Sequence, residues 1–139
     1  MVNRSIVLRK IYRIRYYLSR IKKHRHIPLQ EFLNDLDTQD IILHNLQLGI
    51  QGCIDLGSHI VSDEGWGIPG SFSEIFYLLG DKGVIPRDLS EKVIAMVGFR
   101  NIIIHEYEKV DLKIVYEIIK KDIVDIDNFL LEIIDFFKC

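Results

Sequence analysis

Along the first stretch of the chain, Val7, Ile11, Ile14, Leu18 and Ile21 recur at steps of four and three. That spacing puts all five on one stripe of a helix, which is predicted from about Asn3 to Arg25. His24 and His26 close it, and Pro28 blocks its continuation. Leu29 to Leu36 reads as a short turn or helix. Asp37 or Thr38 is the expected N-cap of a long helix running to about Ser62. Its stripe is Ile42, Leu46, Gly49 with Ile50, Cys53, Leu56 with Gly57, and Ile60. Each of Gly49, Gly52 and Gly57 costs a helix about 1 kcal/mol relative to alanine. Their place on or beside the apolar face therefore predicts close approach of another helix, within the chain or across a dimer. His59, next to the stripe, reads as a structural histidine.

Asp63 to Gly70 is the clearest loop, with Gly65, Gly67, Pro69 and Gly70, and Trp66 is expected to pack over the bundle end. Ser71-Phe72-Ser73-Glu74 fits a capping box that opens a short helix to about Gly80. Phe72, Ile75, Phe76 and Leu79 form its expected buried side. A fourth helix is predicted from Arg87 or Asp88 to Tyr107. A last one is predicted from about Asp111 to Phe137, with Leu112, Val115, Ile119, Ile126, Phe129, Leu130, Ile133, Phe136 and Phe137 inward. No repeat, low-complexity tract or linker divides residues 1–139. The pattern predicts a single all-α domain, an antiparallel bundle of four to five helices.

A chain of 139 residues can bury about 68–70% of its unfolded surface, so its core needs neither a disulfide nor a metal. Cys53 and Cys139 form no spacing motif and read as free thiols. The charged helical start is unlike a secretory signal, and no apolar run approaches bilayer length. A reducing, cytoplasmic setting is the expectation. Charge changes the picture more. Met1 to Gln30 holds nine basic residues and no acid. Solvated helix faces usually mix signs, so this one points to a polyanionic partner, either RNA or an acidic protein.

The candidate chemistry lies in Phe99-Arg100-Asn101-Ile102-Ile103-Ile104-His105-Glu106-Tyr107. With Arg100 at zero and about 100° per residue, Tyr107 falls near −20°, Ile104 near 40°, Asn101 near 100° and His105 near 140°. Met96, Phe99, Ile102, Ile103 and Glu106 take the other arc. One wedge thus carries Arg100, Asn101, His105 and Tyr107. Asn101 and His105 are i,i+4 neighbours, so the amide is placed to hold the imidazole in one tautomer. Histidine can take a proton from a ribose 2′-hydroxyl, and arginine can clamp phosphate oxygens. No carboxylate cluster offers a divalent-metal site. The same residues also fit an ordinary bundle in which they are merely structural.

Arg100-Asn101 followed by His105-Glu106-Tyr107 matches an Arg-x4-His-x-Tyr motif. In this the chain resembles HEPN domains of the HepT type. Segments Leu46 to Ile60, Gly67 to Leu79 and Met96 to Tyr107 resemble that family's successive helices, so the likeness covers most of the chain. The resemblance implies an all-α HEPN fold and a homodimer with a composite groove at its interface. It implies a metal-independent endoribonuclease toxin of a toxin–antitoxin system, with no cofactor of its own. Arg100 and His105 would act on RNA as the catalytic pair, with the polar Asn101 in support. An MntA-type nucleotidyltransferase would silence the toxin by moving AMP from ATP to Tyr107. The alternative within the family is a non-catalytic nucleotide- or partner-binding subunit of a nucleotidyltransferase.

Overall fold

The computed structural model describes residues 1–139. Helix α1 spans Arg4–Lys22, and Asn3 caps it by accepting a hydrogen bond from the Ile6 amide. Its buried residues are the five of the predicted stripe. It stops earlier than Arg25, because Lys23 to His26 form turns that lead into Pro28. α2 is a single turn and a half, Leu29–Leu33.

α3 spans Leu36–Glu64 and is the axis of the molecule, packing against α1, α2, α4 and α5. Its N-cap is Asp35, not Asp37 or Thr38. The Asp35 carboxylate accepts from the Thr38 amide at 3.1 Å and from the Thr38 hydroxyl at 2.8 Å. The backbone bond and then the hydroxyl bond hold the Asp35 carboxyl below its ordinary range. Thr38 and Gln39 are buried, so the first turn must already be formed where they stand. Gly52 and Gly57 do what their spacing predicted, whereas a methyl on Gly49 would meet its nearest neighbour at an ordinary 3.8 Å. A methyl on Gly52 would lie 2.6 Å from Ile14 Cγ1 of α1, and one on Gly57 would lie 2.7 Å from Ile75 Cγ2 of α4. Both close approaches are within the chain.

α3 ends at Gly65, whose φ of 68° is the left-handed conformation glycine tolerates. Trp66 packs partly buried against the core, with the Lys82 ammonium 5.8 Å from its ring centre. α4 covers Phe72–Asp81 and is capped by Ser71, which accepts from the Glu74 amide. The box closes one residue early, because Glu74 accepts from the Gly70 amide rather than from Ser71. Ile75, Phe76 and Leu79 are buried as expected, but Phe72 is 44% exposed. α5 spans Arg87–His105 and packs on α4 and α3.

The predicted last helix is a rod with a wide turn in it. α6 is Leu112–Glu117, a π-helical stretch covers Ile118–Asp122, and α7 is Ile123–Phe137. The π turn brings Ile118, Ile119 and Ile123 all to the core. Phe136 is exposed and Leu112 only half-buried, against expectation. One cluster of 33 buried apolar residues runs through every helix, so there is one core. No helix is long and apolar enough to cross a membrane.

Candidate functional site

α5 ends at His105. Glu106 leaves the helix at φ −138°, and Tyr107–Lys109 make a 3-10 turn. The chain must reverse here, because Asp111 already caps α6 by accepting from the Lys113 amide at 2.9 Å. The helical wedge therefore holds for Arg100, Asn101, Ile104 and His105 but not for Tyr107, which lies beyond the helix.

Arg100 is fixed by three helices. Its Nη1 donates to Asn101 Oδ1 at 2.8 Å, and its Nη2 donates to Gln51 Oε1 on α3. Its guanidinium carbon stands 5.6 Å from the centre of the Phe72 ring of α4, a cation–π distance. That contact accounts for Phe72 staying at the surface. The Gln51 amide is itself oriented, since its nitrogen donates to Asp55 Oδ1 at 2.9 Å. Arg100 Nε is buried and has no hydrogen-bond partner.

His105 is exposed and makes no hydrogen bond to the protein. The expected Asn101–His105 link is not formed, because the Asn101 oxygen accepts from Arg100 instead. Asn101 thus supports the arginine, not the imidazole. Tyr107 is 53% exposed, and its hydroxyl donates to Asp40 Oδ1 on α3 at 3.2 Å. Partial burial, then the bond to Asp40 and its charge, push the phenol's pKa up.

Asp40 and Gln51 are three turns apart on α3, about 16 Å at 1.5 Å per residue. Asp40, His44, Gln47, Gln51 and Asp55 recur at helical steps and form a polar line down α3. On the α1 side two depressions open along this line, and from the α5 side Arg100 reaches it at Gln51, so the line is the floor of a shallow groove. Arg100 and Tyr107 are tethered at separate points along it. Sequence reasoning missed Gln51, Asp40 and Phe72 as site residues. The signal available was that polar line interrupting an otherwise apolar helix.

No group of three or more His, Cys, Asp or Glu side chains is placed to hold a metal. His26 Nε2 accepts from Arg25 Nε at 3.3 Å, and His59 Nε2 lies 3.1 Å from Asp63 Oδ2, one turn away on α3, without hydrogen-bond alignment.

The model of the ribonuclease HepT-like family matches residues 14–133. The chain belongs to the ribonuclease HepT-like family. The mRNA nuclease HepT of Shewanella oneidensis is 33% identical over 126 residues, covering 91% of this chain and 94% of that one. The tRNA nuclease HepT of Aphanizomenon flos-aquae is 33% identical over 95 residues, covering 68% and 65%. Among solved structures, a toxin–antitoxin complex with AMP-PNP aligns with a TM-score of 0.86 at 32% identity, covering 93% of this chain and 97% of that one. The tri-AMPylated Shewanella oneidensis HEPN toxin in complex with MNT antitoxin aligns at 0.85 and 33% identity, covering 92% and 96%. Membership of the HepT-like family makes the chain a ribonuclease of the HEPN toxin type and bears out the all-α fold that the motif implied.

Proposed function

We propose that this chain is a metal-independent endoribonuclease toxin, working as a homodimer, that is silenced by AMP transfer to Tyr107. The observation that carries the reading is a contrast at one helix end. Arg100 is held rigidly by Gln51, Asn101 and Phe72, while His105 is exposed and free of protein partners. A guanidinium has five N–H donors. Two of those on Arg100 are committed to Gln51 and Asn101, and one more on each Nη remains for phosphate oxygens. A pre-set donor of this kind stabilises charge developing on a phosphate without reorganising. His105 takes the 2′-hydroxyl proton, the 2′ oxygen attacks phosphorus, and the 5′ oxygen leaves with a proton from imidazolium. General-base action of this kind is worth about 10²–10⁴ in rate.

Tyr107 is the switch. An MntA-type nucleotidyltransferase, using ATP, places AMP on its exposed hydroxyl, and pyrophosphate leaves. The added group brings bulk and negative charge into the groove that carries Arg100, where it repels the RNA backbone. The similar toxin solved in tri-AMPylated form with its MNT antitoxin supports this reading.

The test is RNA cleavage by purified protein in EDTA. Arg100→Ala and His105→Ala should each abolish it, and cleavage that survives both sinks the mechanism. Co-expression with the cognate nucleotidyltransferase should add AMP-sized mass that disappears in Tyr107→Phe. Tight nucleotide or partner binding with no cleavage would mark a non-catalytic subunit instead.

A further inference from the structure

The basic face of α1 has no role in the site described above. Arg9, Arg13, Tyr16 and Arg20 follow one another at steps of four, three and four, which places them within about 60° of arc on one side of the helix. Of the basic side chains on α1, only Lys22 forms an ion pair, with Asp127 at 2.8 Å. Arg9, Arg13 and Arg20 form no ion pair with any acid of the chain.

This stripe runs along the polar line of α3. Arg9 and Arg13 line one depression with Gly52 and Asp55. Tyr16, Tyr17 and Arg20 line the next, with Asp40 and His44. The two carboxylates that border the stripe keep their charge but accept from other side chains, Asp55 from Gln51 and Asp40 from Tyr107, and neither forms an ion pair with an arginine. The second depression therefore opens onto the Tyr107 end of the groove.

Aromatic rings alternate with the arginines. Tyr12 is 77% exposed and Tyr16 53%. Tyr16 and Tyr17 stand edge to face, 5.7 Å between ring centres. Unpaired guanidinium groups attract phosphates, and exposed tyrosines offer flat surfaces to unstacked bases. A duplex keeps its bases stacked inside and has no use for the rings.

We propose that the α1 face carrying Arg9, Arg13, Tyr16 and Arg20 is a docking track for single-stranded RNA, leading along the α3 groove to Arg100 and His105. The proposal rests on the ribonuclease reading and names the form of RNA that site accepts. The bases stack on Tyr16, and the arginines follow the backbone.

The test uses the His105→Ala protein, so that RNA is bound without being cut. Anisotropy with a fluorescein-labelled single-stranded RNA of about 15 nucleotides is read across a salt series. Arg9, Arg13 and Arg20 changed together to Gln should raise Kd at least tenfold. The change should also flatten the log–log salt slope by about 0.7 for each phosphate no longer neutralised. Tyr16→Ala should raise Kd for the single strand about tenfold and leave duplex binding unchanged. An unaltered Kd and salt slope in the triple variant overturns the proposal. So does a triple variant that changes its oligomeric state in light scattering, because the face is then an interface between copies. Cleavage by the parent protein in EDTA is measured separately. RNA held on this face but never cut would count against the ribonuclease reading and leave the docking track standing.

Discussion

Gly52→Ala tests the packing logic of the fold. The new methyl would lie 2.6 Å from Ile14 Cγ1, 3.4 Å from Cδ1 and 3.8 Å from Cβ. Carbon atoms sit best at about 3.5–4.0 Å, so Ile14 or the whole of α1 must yield by most of an ångström. Ile14 is fully buried, and the nearest atom is in the middle of a β-branched side chain, not at a flexible end. Over-packing of this kind costs about 1–3 kcal/mol, and this contact is at the severe end. Alanine returns about 1 kcal/mol of helix propensity. The net expectation is a loss of about 1–2 kcal/mol, or roughly 3–8 °C in Tm for a chain of this size. Gly49→Ala is the control. Its methyl would meet Tyr17 Cβ at 3.8 Å and Leu18 Cδ2 at 3.9 Å, which is ordinary contact. It should gain about 1 kcal/mol. Thermal unfolding followed by circular dichroism at one fixed protein concentration reads both. The reasoning is refuted if Gly52→Ala is as stable as Gly49→Ala.

Gln51→Leu removes the α3 tether of Arg100, a bond to a charged group of about 1.5–3 kcal/mol. Single-turnover cleavage in EDTA should fall about 10–100-fold, and an unchanged rate would show that the tether is idle. Asp40→Ala takes away the acceptor and the charge that help hold the Tyr107 phenol protonated. Its ultraviolet titration, isolated as the difference from Tyr107→Phe, should then move to lower pH. Asp125 is buried on α7, and its pKa is raised by that burial first, with Asp122 and Asp88 adding to it against Lys92. Its folded form binds the proton more tightly than the unfolded chain. The stability this gives is present below the ordinary carboxyl pKa and is lost as pH rises through the folded value. Asp125→Asn should therefore raise Tm at pH 7, with the gain vanishing in acid. Burial pushes the Cys53 thiol up to about 12, so a thiol reagent should modify Cys139 alone in the native protein and both cysteines in denaturant.

How much of the molecule is legible in its sequence depends on the range of each interaction. The α1 stripe is legible in full, because Val7 to Ile21 repeat on one face and only local spacing is involved. The α3 cap is not, because Asp35, Asp37 and Thr38 are all capping residues within four positions. Burial of Thr38 and Gln39 against the core decides among them. The spacing overruns the end of α5 by two residues, since Glu106-Tyr107-Glu108-Lys109 contains neither glycine nor proline to mark the stop. The π turn leaves no local mark either, because its isoleucines and lysines suit an α-helix equally well. Within the site, the motif supplies Arg100, His105 and Tyr107. It cannot supply their partners, because Gln51 lies 49 residues from Arg100 and Asp40 lies 67 from Tyr107.

Tyr107 stands on a turn just past the end of a helix, held by one hydrogen bond to Asp40 at its exposed hydroxyl. A bond to a charged acceptor contributes about 1.5–3 kcal/mol net. At equilibrium that leaves roughly 0.6–7% of the molecules with the phenol released. An enzyme that captures only the released form gives up about 14–160-fold in apparent affinity. No part of the bundle has to unfold for the hydroxyl to be reached. The hydroxyl proposed as the switch is thus kept on a catch that thermal motion opens, while Arg100 is held by three helices.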